Sequence, residues 1–551
     1  MRARAPRLVV VAALWAAVAG CGEGDMHGGG GSDPHAKLPP AHGDTLIQAS
    51  IGDIGALIPN ITTDQASHEV GSLIYDGLVG TGKNVEDVPA MASSWQVSKD
   101  CLTLTFNLRK DVKWHDGRPF TAEDVLFTHH LTMHPKTPAP YKDEFELVER
   151  VEAPDPYTVR VTYKKPYAKA VQSWGMAMLP KHRLAEFVEN GKLRESPQNQ
   201  QPIGTGPYRF KEWKPAEKVV VVANKDYYGG RPYVGRWVYR IIPSQATIFL
   251  ELKAQGVDLA SLTVIQYMRQ TEYPAFNKAY NKLRYQGRSY EFLAFNLKDP
   301  RFADLRVRQA IAHAVSKQEI IDGVTLGVAK EVSGPIRPGT WAYTDNVKKY
   351  EHDPGKAKKL LADAGWIDRD GDGLVEDKTG KPFTFTIRTN QGNDERKRAA
   401  ELIQQRLTEV GIKVELHIVE WAAFINKFVK PRNFEVVMLG LGGATDPDQY
   451  VVFHSSQTGI DQMNRTGYNN PEIDRLLELG RATCHQDTRR PHYLRMQEIL
   501  AHDIPMIFLY SRDALPVVST RVHGIDPGPA GILYNRPQWY VPKALQRYTA
   551  D

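Results

Sequence analysis

The residues whose types and spacing best suit chemistry are the alternating carboxylates of Asp368-Arg369-Asp370-Gly371-Asp372-Gly373. Carboxylates at the first, third and fifth positions with a glycine at the sixth supply the oxygen ligands and the sharp turn that a calcium loop needs. The backbone carbonyl of Leu374 and the carboxylate of Glu376 would fill the seventh and ninth positions. The twelfth is Thr379 instead of the bidentate glutamate, and the segment from Phe383 to Thr389 alternates as a strand. A structural calcium site on Asp368, Asp370, Asp372, Leu374 and Glu376 and a plain acidic hairpin turn both remain open readings. No other cofactor is expected.

Other constellations fail on chemistry. Gly77-Leu78-Val79-Gly80-Thr81-Gly82-Lys83-Asn84 has phosphate-loop spacing, but Asn84 stands where a hydroxyl must meet magnesium, and Val70 to Tyr75 reads as helix where a strand is required. No G-x-S-x-G elbow, H-E-x-x-H helix or C-x-x-C pair occurs, so hydrolase and zinc chemistry have no anchor. His129, His130 and His134 share a helix that Pro135 ends, without a carboxylate or thiol partner, and read as a solvated helix end.

The elements around these residues mix short strands with amphipathic helices and show no fixed repeat, which gives an α/β class. Leu102 to Leu108 and Val159 to Tyr163 alternate as half-buried strands, with a helix from about Thr121 between them, capped by Thr121 and Asp124. Val219 to Val222 is a continuous apolar run, as in a strand buried on both faces. Asp353-Pro354 starts a helix whose face carries Ala357, Leu360, Leu361 and Ala364 and which Gly365 closes. Ala399, Leu402, Ile403, Leu407 and Val410 form a second helical stripe, Gly411 stops it, and Ile412 to Ile418 alternate into a strand. With 551 residues the chain needs two or three packed units.

At the start, Arg2, Arg4 and Arg7 precede an apolar run from Leu8 to Val18, and Ala19-Gly20 precede Cys21. That is an export signal over residues 1–20, and a cysteine directly after Val18-Ala19-Gly20 resembles the lipobox of bacterial lipoproteins. Cys21 is then the acylated residue, and residues 21–43, rich in Gly, Pro and His, form a flexible tether. Removal of the three arginines lowers the net charge from +6 to +3, which gives nucleic-acid binding no support. Export makes a disulfide between Cys101 and Cys484 permissible, but two free thiols fit the sequence equally well.

Specific phrases recur in order along the mature chain. They are Tyr75-Asp76-Gly77-Leu78, Trp114-His115-Asp116-Gly117 with Pro119 to Val125, Gly204-Thr205-Gly206-Pro207-Tyr208, Phe295-Asn296, Arg306 to Ile311, and Asn469 to Asp474. Together these resemble the family 5 extracellular solute-binding proteins, the oligopeptide- and dipeptide-binding lipoproteins of ABC transporters. The resemblance implies a class II periplasmic-binding-protein fold: two lobes around a ligand cleft, closing about strand hinges, plus an extra domain. Carried onto this chain, the first lobe combines residues 44–78, 197–288 and 506–551, the extra domain spans 79–196, and the second lobe spans 289–505. The implied function is capture of a peptide or related small solute and its delivery to ABC permease subunits, by a monomer held on the periplasmic or cell-surface side through its lipid, with no catalysis. A secreted lipoprotein hydrolase and a peptide-binding signalling or chaperone-like protein are the alternatives, separated by turnover assays and by a neighbouring permease gene.

The same resemblance implies a cleft lined by Ile54, Gly55 and Ala56 from the first strand and loop, and by Asn390 and Gln391 ahead of the next helix. Arg396 and Arg398 are the implied carboxylate clamps, since a guanidinium offers a bidentate fork. Dipeptide-binding relatives hold the ligand ammonium with an aspartate just ahead of an Asp-Pro-Asp turn, beside a tryptophan. Here the stretch is Gly440-Leu441-Gly442-Gly443-Ala444-Thr445-Asp446-Pro447-Asp448, with no carboxylate ahead of Asp446 and Leu441 at the tryptophan position. Leu441, Gly442 and Gly443 are then an apolar, roomy wall, and Asp446 and Asp448 hold the turn through bonds to the backbone. Metabolic labelling with palmitate should mark the wild-type chain and vanish in Cys21→Ala; label retained by the variant would show that Cys21 is not the acylated residue.

Overall fold

The computed structural model describes residues 38–442 and 446–548, so the expected export signal, Cys21 and the tether up to residue 37 lie outside the described residues. Of the four sheets among the described residues, three carry the body and the fourth is a short two-stranded hairpin. The first has seven strands in the order Tyr280–Lys282, Pro516–Ser519, Leu259–Ser261, Gly43–Ser50, Val234–Ile241, Lys218–Ala223 and Tyr208–Lys214. The strand Gly43–Ser50 lies inside this sheet, parallel to Val234–Ile241, with Leu46 opposite Trp237. Leu46, Tyr208, Val219, Val221, Trp237 and Trp539 form the core on one face, while Ala49, Phe249, Leu252 and Val517 fill the other. A strand covered on both faces reads as an uninterrupted apolar run, which is what Val219, Val220 and Val221 supply.

Arg521 ties the two ends of this lobe together. Its Nε and Nη2 donate to the Asp258 carboxylate at 2.9 and 2.6 Å, Nη1 donates to Asp44, and Nη2 also reaches the Thr45 carbonyl at 2.7 Å. All three side chains are almost wholly buried. A buried guanidinium is tolerated only when carboxylates surround it, and removing one partner leaves the others uncompensated.

The extra domain is a four-stranded antiparallel sheet, Ala92–Val97, Thr103–Leu108, Thr158–Tyr163 and Val148–Asp155 in spatial order, with the helix Ala122–Met133 packed on it. The Asp124 carboxylate accepts the Thr121 N–H at 3.1 Å, as the capping pattern requires. The stretch with phosphate-loop spacing is a hairpin: Val79–Thr81 pairs with Asp87–Pro89 across a turn in which the Gly82 N–H donates to the Glu86 carbonyl. His129 stacks on Trp174 and His130 pairs with Glu189, so the histidines are dispersed among structural contacts.

The recurrent phrases explain how this domain is fastened to the first lobe. The His115 N–H donates to the Gly204 carbonyl at 2.9 Å, and the His115 ring Nε2 lies 3.0 Å from the Gly206 carbonyl. Gly206 N–H in turn donates to Ile74 O at 2.8 Å, at the end of the helix Gln65–Ile74. A Cβ on Gly204 would stand 1.8 Å from that same oxygen, which only glycine avoids.

The second lobe holds the six-stranded sheet Ala329–Glu331, Met506–Arg512, Ser289–Phe295, Val436–Gly442, Thr384–Asn390 and Lys413–Val419. Met506–Arg512 pairs antiparallel with Ser289–Phe295. That corrects the expected boundary at 505/506: this apolar strand completes the second lobe's sheet, and the chain returns to the first lobe only after it. The helices Pro354–Asp363 and Asp394–Thr408 pack on this sheet with Asp353 and Asn393 as their N-caps, and Gly365 and Gly411 follow them with positive φ of 92° and 86°. Among the described residues, no helix is long and apolar enough to cross a membrane.

Replacing Arg521 by alanine should lower unfolding stability by about 3–5 kcal/mol, because Asp44 and Asp258 are left buried without a counter-charge. Urea titration of wild type and variant measures this directly, and a loss of less than about 1 kcal/mol would show the carboxylates manage without it.

Candidate functional site

The chain crosses between the two lobes at Tyr285 and Ala514, which bond to one another through Ala514 N–H to Tyr285 O at 2.8 Å and the reciprocal bond at 3.3 Å. Away from these crossings, two contacts between the halves stand out among the described residues. At one contact the second lobe's Gly392 accepts the Gln245 N–H at 3.4 Å, the Asp394 N–H donates to the Gln245 side chain at 3.0 Å, and the Val264 N–H donates to Glu395 at 2.7 Å. Gly392 has a φ of 85°, and a Cβ there would sit 2.3 Å from the Pro243 carbonyl, so the approach depends on glycine. At the other contact the extra domain meets the second lobe: the Ala168 N–H donates to the Arg481 carbonyl at 2.8 Å, and Cys101 and Cys484 form a disulfide with Cα atoms 6.5 Å apart.

Charge is concentrated at this second contact. Arg481 Nη2 donates to Asp143 of the extra domain at 2.8 Å, and its Nε lies 3.0 Å from the Asp448 carboxylate. The guanidinium also lies over the Tyr450 ring, 4.1 Å from its centroid. Lys169 pairs with Glu144 and stands 3.8 Å from Asp448. Burial pushes the Asp448 carboxyl up, but Arg481 and Lys169 outweigh it and hold the group below the usual range. For Asp143 burial wins over Arg481, and its carboxyl rises to about 6. The guanidinium is thus matched chiefly by Asp448, with Asp143 as the weaker partner.

The turn residues find partners in the same region. Asp446 accepts the Asp448 N–H at 2.9 Å and Asp448 accepts the Tyr450 N–H at 3.0 Å, while Asp446 also receives a bidentate pair from Arg489 at 2.8 and 2.6 Å. Leu441 is half-buried opposite Tyr290 and Gly442 is exposed at the end of its strand; Gly443 lies outside the described residues.

The other expected cleft residues divide. Ile54 and Ala56 belong to the first lobe's core, and the Gly55 and Ala56 N–H groups both point to the Ser67 hydroxyl at 2.9 and 3.2 Å; of the three only Gly55 is exposed. Asn390 is buried and accepts from Arg396, whereas Gln391 is exposed. Arg396 is itself buried and forks onto Glu291 with two bonds of 2.8 Å. That departs from the clamp role, because its bidentate face is already filled by a carboxylate of its own lobe. Arg398 is exposed on the same helix.

Asp368, Asp370, Asp372 and Glu376 gather their carboxylate oxygens within 4.8 Å of one another, with Gly371 and Gly373 at positive φ. Their oxygens accept backbone N–H groups of Gly371, Gly373, Asp372, Leu374 and Arg369, the bonding of an acidic turn. The cluster precedes the strand Thr384–Asn390 and so stands at the end of the sheet away from the Asn390 contact.

Two concavities border the interlobe contacts. One, on the second lobe, is lined by Arg288, Tyr290, Ile336, Arg337, Asp446 and Gln449 among others. The other, about 350 Å³, lies between the first lobe and the extra domain and is lined by His68, Tyr75, Asp76, Tyr141, Glu144 and Met176. Burial raises the Asp76 carboxyl to about 6 despite bonds from Tyr228 and Tyr227. Sequence reasoning missed Arg481, Arg489, Lys169 and Asp143, because each is a single charged residue on an otherwise ordinary element.

Residues 86–462 match the model of the bacterial extracellular solute-binding proteins, family 5 middle. The oligopeptide-binding protein AppA of Bacillus subtilis is 32% identical over 92% of this chain and 93% of its own. The structure of AppA in complex with a nonapeptide superposes with a TM-score of 0.86 at 30% identity, over 92% of this chain and all of that one. NikZ of Campylobacter jejuni in complex with Ni(L-His) gives 0.82 at 30% identity, over 90% and 99%. With a family model spanning most of the folded body, and a relative aligned across nearly all of both chains, this protein belongs to the bacterial extracellular solute-binding proteins of family 5.

Proposed function

We propose that this chain is the extracytoplasmic solute-binding component of an ABC importer, and that it takes an extended peptide between its lobes without a carboxylate to anchor the peptide ammonium. The observation that carries the second part is the saturation of the turn: Asp446 is held by Arg489, and Asp448 by Arg481 and Lys169. Neither has charge to spare, and enclosing an ammonium without a counter-charge costs several kcal/mol. Leu441 and Gly442 leave an apolar, open end to the same strand. Kinship with an oligopeptide-binding protein solved with a nonapeptide supports a long ligand held along its backbone.

In this reading the lobes rotate about the Tyr285 and Ala514 crossings, and closure around solute is the state an ABC permease recognises. Cys21 supplies the lipid that keeps the protein beside that permease. No step of bond making or breaking is required, and the protein acts by enclosure alone.

A nonapeptide selected from a library by thermal shift should bind with nearly the same affinity as its N-acetyl form in isothermal titration, because acetylation removes a charge for which Asp446 and Asp448 are already taken. A hundredfold loss on acetylation, about 2.7 kcal/mol, would establish an ammonium anchor and overturn the reading of this loop.

Arg396 is assigned to stability, not to the peptide carboxylate. Arg396→Ala should destabilise the fold by about 3 kcal/mol by stranding Glu291. The ratio of affinities for a nonapeptide acid and its amide should stay at the wild-type value; a selective loss for the acid would restore Arg396 as a clamp.

A further inference from the structure

The disulfide between Cys101 and Cys484 joins the extra domain to the second lobe across 383 residues of chain. The extra domain is itself fastened to the first lobe through His115, Gly204 and Gly206. One covalent bond therefore spans the boundary that opens in the hinge reading proposed above. Beside it lie the Ala168–Arg481 hydrogen bond at 2.8 Å and the Arg481–Asp143 pair at 2.8 Å. Those contacts are reversible; the disulfide is not, until a reductant reaches it.

Access is unequal. Cys484 sits exposed in the turn between the helices Pro471–Arg481 and Gln486–Asp503, while Cys101 is 8% exposed in the turn ahead of the strand Thr103–Leu108. A nucleophile arriving from solvent meets the Cys484 sulfur first and leaves Cys101 as the departing thiolate.

We infer that Cys101–Cys484 is a thiol–disulfide exchange site that latches the two halves together, and that an external dithiol unlatches them. The inference rests on the hinge reading proposed above. One thiolate of the dithiol attacks Sγ of Cys484; the S–S bond breaks, its electron pair leaves on Sγ of Cys101, and that sulfur takes a proton. The second thiol of the reductant then attacks the mixed disulfide, frees Cys484 as a thiol, and departs as a cyclic disulfide. Two electrons and two protons pass to the protein. While oxidised, the bond keeps Arg481 beside Asp143 at a high effective concentration, so the ionic contact re-forms whenever it breaks.

The amide of Ala168 reports opening, since its hydrogen bond crosses the boundary. Hydrogen exchange followed by mass spectrometry on the solute-free chain should show that amide about tenfold or more faster after reduction with dithiothreitol. Cys101→Ser/Cys484→Ser should exchange like the reduced protein and ignore the reductant, and small-angle scattering should give both a larger radius of gyration than the oxidised form. Should the double variant not fold, wild type reduced and trapped with iodoacetamide replaces it. Unchanged protection at Ala168 with two titratable thiols present would overturn the latch. If that reduced protein nevertheless contracts on adding a binding nonapeptide, the hinge survives without the latch; if neither form changes size, the hinge fails and the latch with it.

Discussion

The guanidinium of Arg481 occupies a place where a charge persists only if carboxylates from two parts of the molecule reach it. Asp448 comes from its own lobe and Asp143 from the extra domain. Away from water each of these three groups alone would be costly, and together they are tolerable. The turn 446–448, the helix Gln486–Asp503 through Arg489, and the extra domain through Ala168 and Lys169 all take their places around that neutralisation. Loss of the arginine would free two buried acids and one contact between the halves at once.

That arrangement also fixes which charges beside the turn are already paired. An ionised side chain already paired inside the protein is a poorer partner for a ligand's charge than one left unpaired. Here the carboxylates nearest the turn are spent on arginines, and Arg396, the cation nearest Asn390, is spent on Glu291. In the function proposed above, recognition is then left to backbone groups, aromatic rings and shape, which tolerate many side chains.

Much of the fold was legible from local signals. The cap at Asp353 and the stopping glycines 365 and 411 each reflect a local requirement of the backbone, and the structure places them as read; of the apolar run read over 219–222, Val219 to Val221 are buried and Val222 is half-buried. The phrases that carried the family resemblance turn out to be fasteners: Gly204, Gly206 and His115 hold two units together by close backbone approach, and so they mark the fold more than the ligand. What escaped was non-local. The membership of Met506–Arg512 in the second lobe's sheet depends on which strand it meets, not on its own composition. Arg396 has the chemistry of a clamp, and the partner that takes its fork, Glu291, lies more than a hundred positions away in sequence. Cys101 and Cys484 carry no spacing rule at such a separation.

The position of the strand Gly43–Ser50 has a consequence for the order in which the molecule can be built. It lies inside the seven-stranded sheet between Val234–Ile241 and Leu259–Ser261, and that sheet also needs Pro516–Ser519, with Arg521 beyond it closing on Asp44. The six-stranded sheet, by contrast, draws every strand from one continuous stretch between Ser289 and Arg512. A chain emerging from its N-terminus therefore possesses everything the second lobe requires before the first lobe can be completed. The earliest-made strand must wait unpaired on one side until residue 259 is available, and the sheet around it stays unfinished until nearly the last residues arrive. Such long-range closure slows folding relative to a lobe with local contacts. The first lobe's stability thus depends on segments brought together from both ends of the described body.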